Sequence, residues 1–229
     1  MILSFRHFPR LMNNFFLFRY GPEILLRTGQ HVQMVLIAIS IAVTIGLPLG
    51  VLITRQSRLA APILGFANVM QTVPSLALFG FLLSVPLLGG IGNTPAIVAL
   101  ILYSLLPIIR NTYTGITQVN PAIREAGRGM GMTDWQLLTQ VELPLAMAVI
   151  LSGVRIATVI AIGIATIAPA IGAENLGVFI FRGIAVVNNQ LILAGAIPAA
   201  IMALVADLGI DLLAQRFKVG SMDKPSTVS

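Results

Sequence analysis

The chain has 229 residues, of which 57% are hydrophobic and only 10% charged, with a formal net charge of +6 and a mean hydropathy of +0.94. So little polar surface does not cover a water-soluble globule, and the composition is that of an integral membrane protein. The basic balance calls for no nucleic acid, because membrane proteins retain Lys and Arg on their cytoplasmic side, and the absence of cysteine excludes disulfides, thiolate metal sites and thiol catalysis.

In chain order, residues 1–27 carry Arg6, Arg10, Arg19 and Arg27 around an apolar patch at 15–18 that is too short to span. No small-residue cleavage site follows a proper apolar core, so the segment is expected to lie at the membrane interface or to be partly disordered, not to act as a signal peptide. Residues 28–54 contain no charge and predict a first span at 31–54, closed by Arg55 and Arg58. Pro48 and Gly50 allow a kink near its end, either structural or a gating hinge.

From residue 59 to residue 109 no charge occurs, and one helix of that length would measure about 77 Å at roughly 1.5 Å per residue, thicker than any bilayer. The reversal is marked by Pro86, Gly89, Gly90, Gly92, Asn93 and Pro95, which gives spans at 62–85 and 94–110. In the first of these, Gln71, Thr72 and Ser75 surround Pro74 at membrane depth. They either line a passage or pack between helices to repair the proline break, and Tyr103 of the next span is a further candidate to line a passage.

Residues 145–173 are apolar except for Arg155, which snorkels to the near interface, pairs with an acid or guards an ion path. A span is expected at 144–168, and its small residues Ser152, Gly153, Ala157, Ala161, Gly163 and Ala165 suit the middle of a bundle. Residues 172–189, with Glu174 and Arg182, are expected at the far surface as a short re-entrant or interfacial helix. The last span, 190–213, holds Asp207 and Asp211 at i and i+4, like charges that need a partner; Arg216 or the loop arginines are the expected ones. The tail, 219–229, is expected to be disordered.

The fold class is therefore all-α, a polytopic transmembrane bundle of about five spans within a transmembrane unit at 28–218. With the 111–143 loop cytoplasmic, Arg55, Arg58, Arg110, Arg124, Arg128, Arg216, Lys218 and Lys224 lie inside, against Arg182 and the N-terminal arginines outside. A fold-back of the first twenty residues would ease the conflict those arginines create.

The loop itself carries two helix starts: Asn120 as N-cap with Pro121 at the first position, and Thr133 or Asp134 before Trp135. Gly127, Gly129 and Gly131 allow a corner between them, and Leu143-Pro144 ends the second helix and starts the next span. A phosphate role for the glycines fails, since no strand precedes them and no lysine occurs before Lys218. Only His7 and His31 offer imidazole, and neither a metal cluster nor a bound cofactor is expected.

Glu125-Ala126-Gly127, then Gly131, Val141 and Leu143-Pro144 resemble the EAA loop of the membrane subunits of type I ABC importers. The usual form there is Glu-Ala-Ala, Gly, Ile and Leu-Pro; the departures are Gly127 and Val141. The resemblance extends over residues 31–213, and QTVPSLALFG, GGIGNTPAIVAL, LPIIRNTYTGI and GMGMTDWQLLTQVELPLA look like the osmoprotectant branch, which carries glycine betaine, choline, carnitine or proline betaine. It implies the type I importer permease fold in a bacterial plasma (inner) membrane. It also implies a coupling loop in which Glu125, Ala126, Gly127 and Gly131, with Trp135, Leu143 and Pro144, engage a separate ATP-binding subunit. Further implied partners are a second permease, either a copy or a paralogue, and an extracytoplasmic substrate-binding protein; ATP hydrolysis would reside outside this chain, which is itself no enzyme. An amino-acid permease of the same fold remains the alternative. An ion-coupled secondary transporter would rest on Arg155, Asp207 and Asp211 alone.

Overall fold

A computed structural model of the protein describes residues 16–86 and 90–217, so the expectations for residues 1–15, Gly89 and the 219–229 tail fall outside the described residues. Helix α1 (Phe16–Arg55) is followed, after a short 3-10 turn, by α2 (Ala60–Thr72) and α3 (Ser75–Leu83). Then come α4 (Asn93–Thr117), α5 (Pro121–Gly129) and α6 (Asp134–Leu137), which continues through a π turn (Leu138–Glu142) into α7 (Leu143–Ala165). Helices α8 (Gly177–Ala185) and α9 (Asn189–Gln215) complete the described chain. Among the described residues four helices are long and apolar enough to cross a membrane, or five if the bent α2–α3 pair forms one span.

Three elements differ from expectation. The first helix starts at Phe16, well before residue 31, and its 40 residues measure about 60 Å, so its first turns extend past a hydrocarbon layer of about 30 Å. Those turns are tied down by pairs from Glu23 to Arg182 and from Arg27 to Glu174. The helix runs unbroken through Pro48.

The second span is not one rod. Helices α2 and α3 meet at 98°, because Pro74 has no N–H to donate and holds Val73 extended at φ −64° and ψ 131°. The third difference lies at Pro144, which does not separate two helices: α6 and α7 form one 32-residue rod from Asp134 to Ala165. The π turn widens the backbone just before Pro144, where the proline ring would crowd a regular α turn.

Helix α4 is the axis. Of its apolar window 61% is buried, against 28%, 33% and 22% for the other three long helices, although it is the least apolar of the four. It therefore faces protein, and the others share the hydrocarbon. Close approach comes from glycine: a Cβ at Gly50 of α1 would lie 2.5 Å from Thr112 Cβ, and one at Gly153 of α7 would lie 2.7 Å from the Pro107 carbonyl oxygen. Gly153, Ala157, Ala161 and Ala165 are buried at a spacing of four, while Gly163 faces outward; the middle of the bundle expected for this span is taken by α4.

Gly153→Val should lower the stability of the detergent-solubilised chain by about 1–3 kcal/mol, the usual cost of overpacking. Gly163→Ala, with nothing within 4 Å of the added carbon, should hold or slightly raise the thermal midpoint, since alanine is the better helix former. Thermal unfolding of the two variants side by side checks both.

Candidate functional site

The polar interval folds into a two-helix tip at one end of the bundle. Its first part, residues 111–117, is the last part of α4, so the connection proper begins at Gln118. Asn120 caps α5, its Oδ1 accepting from Ala122 N at 2.9 Å, with Pro121 in the first turn. At the other end the Met132 amide donates to the Gly127 carbonyl at 3.1 Å and the Gly131 amide to Arg128 at 2.9 Å, with Gly131 at φ +82°. This is a Schellman closure, and the left-handed residue it needs is glycine.

Helix α6 opens with a reciprocal capping box. Gln136 N donates to Thr133 Oγ1 at 3.2 Å, and Thr133 N donates to Gln136 Oε1 at 2.9 Å. Of the two N-caps the sequence offered, Thr133 is the one used.

The tip exposes Glu125, Ala126, Gly131 and Trp135, the last 71% exposed, together with Met130. Gly127 is buried instead: a Cβ there would lie 2.8 Å from Leu137 Cδ1 and 3.2 Å from Met132 Sδ. It sets how closely α5 lies on α6. Leu143 and Pro144 lie below the tip, at the start of α7. An open cleft of about 290 Å³ runs beside the tip, lined among others by Gln118, Asn120, Ile123 and Leu145.

Beneath the tip lies a group the sequence reading did not single out. Glu142, fully buried in the π turn, accepts from Arg55 at the end of α1 and lies 3.2 Å from Nε of Arg124 on α5. That Nε is within ion-pair range but is not aligned as a hydrogen bond. The Arg124 guanidinium also donates to the Ile116 carbonyl on α4. One carboxylate thus joins α1, α5 and the α6–α7 rod. Glu142 fills the position between Val141 and Leu143-Pro144 that the matched pattern leaves unspecified, so its signal in the sequence was an acid placed at the mouth of a span.

Farther along the bundle Arg155 pairs with Asp211 at 2.7 Å and with Asp207 at 3.4 Å. The two aspartates therefore find their cation on α7, not in Arg216 or the loop, and Arg155 is paired with acids. At the end opposite the tip, Glu174 holds Arg27 at 3.1 Å and accepts from Gln30 at 3.0 Å, while its own amide donates to Asn93 Oδ1 at 3.0 Å. A cleft of about 190 Å³ opens beside them, lined by Gln30, Gln33, Met34, Ile37, Asn93 and Ile97.

The residues around Pro74 divide. Thr72 and Pro74 are exposed, and Gln71 and Ser75 are half-buried. Tyr103 is buried beneath them, its hydroxyl donating to the Val73 carbonyl that the break frees, while Gln71 Nε2 reaches the Tyr103 carbonyl at 3.5 Å.

Residues 29–219 match the family described as the inner membrane component of binding-protein-dependent transport systems. The chain belongs to that family. It is a multi-pass permease subunit of the inner membrane, a transport component and not an enzyme. The permease is 46% identical over 192 residues, 84% of this chain and 87% of the other, to the glycine betaine/carnitine/choline transport system permease protein OpuCB of Bacillus subtilis (strain 168). To the osmoprotectant import permease protein OsmW of Salmonella typhimurium it is 48% identical over 182 residues, 79% of this chain and 85% of that one. A solved inward-facing form of the MetNI methionine ABC transporter superposes with a TM-score of 0.76 over 85% of this permease and 95% of that chain, at 22% identity, which speaks for the fold.

Gly131→Val should destabilise the tip by about 1–2 kcal/mol, the cost of a left-handed backbone on an L residue, whereas Gly131→Asn should cost less. Amide hydrogen exchange over residues 127–137 should accelerate in the first variant and stay near the parent in the second.

Proposed function

We propose that this permease forms half of the path by which an ATP-driven importer takes up a compatible solute such as glycine betaine or choline, with the α5–α6 tip seated in a separate ATP-hydrolysing subunit on the cytoplasmic side. A second permease, a copy of this chain or a paralogue, completes the path, and an extracytoplasmic binding protein delivers the solute. The observation that carries the coupling role is the tip itself: Glu125, Ala126, Met130 and Trp135 stand exposed on two short capped helices, and the chain has no nucleotide-binding motif of its own. Exposed aromatic and apolar groups on a rigid polar support are what a docking surface needs.

The substrate class is supported by the names of the curated relatives at 46% and 48% identity. In the permease, Gln71, Thr72, Pro74 and Ser75 at the broken span are the candidates to line the path, with Tyr103 holding the break from beneath. No aromatic cage for a quaternary ammonium is formed by the single Trp, which lies on the tip, so selectivity resides in the binding protein. Alternating access then follows from movement of the tips with the ATPases and tilting of the rods they belong to.

In proteoliposomes holding permease, ATPase and binding protein, ATP should drive uptake of radiolabelled glycine betaine or choline, and unlabelled solutes of that class should compete. Uptake of amino acids alone would contradict the substrate class, and uptake driven by an ion gradient without ATP would contradict the mechanism. Glu125→Lys and Gly131→Asp should insert normally yet reduce ATP-driven uptake by about tenfold or more, the scale of a lost coupling of 1–3 kcal/mol.

A further inference from the structure

We propose that Glu142 is the positioning residue that passes movement of the α5–α6 tip into α1 and α7. The proposal rests on the reading of that tip as the ATPase contact, and it assigns the route from there to the far end of the bundle.

Helix α5 has few holds on the rest of the protein. Its ends are turns, its side rests on Leu137 through Gly127, and among the described residues its one charged hold is Arg124. Arg124 grips the Ile116 carbonyl and the buried carboxylate of Glu142, and the same carboxylate holds Arg55. Two cations share one anion with no exposed surface, so an arginine that moves away gives up an ion pair at a buried carboxylate and leaves the other arginine alone to compensate it. The carboxylate therefore makes the tip, the end of α1 and the start of α7 shift as one body. Its place in a π turn fits that role, since such turns gather at functional sites.

What leaves this junction is a lever. Helix α1 runs unbroken from Arg55 back to Phe16, and on its far half Gln30, Gln33, Met34 and Ile37 line the outer cleft. A displacement applied at Arg55 therefore reaches the cleft along a continuous rod, and α7 carries Arg155, which is paired with Asp207 and Asp211 of α9. Coupling of this kind needs a contiguous network joining both sites, and Glu142 is the point where its branches meet. A carboxylate that served stability alone would not place the nucleotide state of the ATPase in control of the outer cleft.

The chain has no cysteine, so a single Gln33→Cys reports on that cleft without background from the permease, labelling being read on the permease band. In the complex of permease, ATPase and binding protein in liposomes, its rate of reaction with a membrane-impermeant maleimide is expected to differ between nucleotide-free and AMP-PNP-bound states. Adding Glu142→Gln should abolish that difference and lower the glycine betaine imported per ATP by about tenfold, while the ATPase still co-purifies and hydrolyses ATP. Arg55→Gln, which leaves the Arg124 arm in place, should do the same and serves if Glu142→Gln does not insert; Arg55→Lys should restore part of the response. A nucleotide response and an import ratio that survive in Glu142→Gln and Arg55→Gln overturn the proposal and leave the docking reading intact. Loss of ATPase co-purification in Glu142→Gln also overturns it, since the residue would then serve assembly. Absence of any response in Gln33→Cys alone would overturn the docking reading and this one with it.

Discussion

Hydrocarbon offers no hydrogen bonds, so each place where a helix stops inside the bundle must be repaired by a side chain of this chain. At Val73 the repair is the Tyr103 hydroxyl. After α7 it is Asn175, fully buried, whose Nδ2 donates to the Ala165 carbonyl at 2.8 Å and whose Oδ1 accepts from Gly177 N at 2.7 Å. A Cβ at Gly177 would lie 2.0 Å from the Thr166 carbonyl oxygen, so the close turn that Asn175 bridges is open to glycine alone. These repairs fix where the chain bends, and the bends in turn decide that α4 is enclosed and that the tip projects at one end.

Charge obeys the same constraint. Several ionic groups are matched: Glu142 with Arg55 and Arg124 under the tip, Arg155 with two aspartates farther in, and Glu174 with Arg27 at the opposite end. The first of these joins three elements through a buried carboxylate, whereas Glu174 is half exposed, at 58% of its side chain. A fixed junction below the tip and a wetter one at the far end suit a body that is driven from one side and opens at the other.

Much of this was legible from residue order. The caps at Asn120 and Thr133, the glycine corner and the small-residue stripe of α7 are local signals, and local backbone chemistry decides them. The sharp break at Pro74 was only half legible: proline announces an interruption, but a bend of 98° depends on Tyr103 some thirty residues away. Pro144 misleads as a helix stop because the π turn before it makes room for the proline ring and lets the helix run on. Glu142 was hidden for another reason. Its partners lie 87 residues away in Arg55 and on a different helix in Arg124, so nothing at its own position marks it. Gly127 reads as part of a docking motif, yet it faces inward to seat α5 on α6.

Family membership gives the class of machine, and the proposed docking role makes the exposed tip the place where force would enter it. The most direct test uses the absence of native cysteine: Ala126→Cys on the exposed face of α5 against single cysteines on the ATPase subunit. A cross-link between Ala126→Cys and the ATPase, with a yield that changes between nucleotide-free and ATP-bound complexes, is the expected result. A complex that assembles and transports but forms its cross-links only from Val187→Cys at the opposite end of the bundle would contradict it.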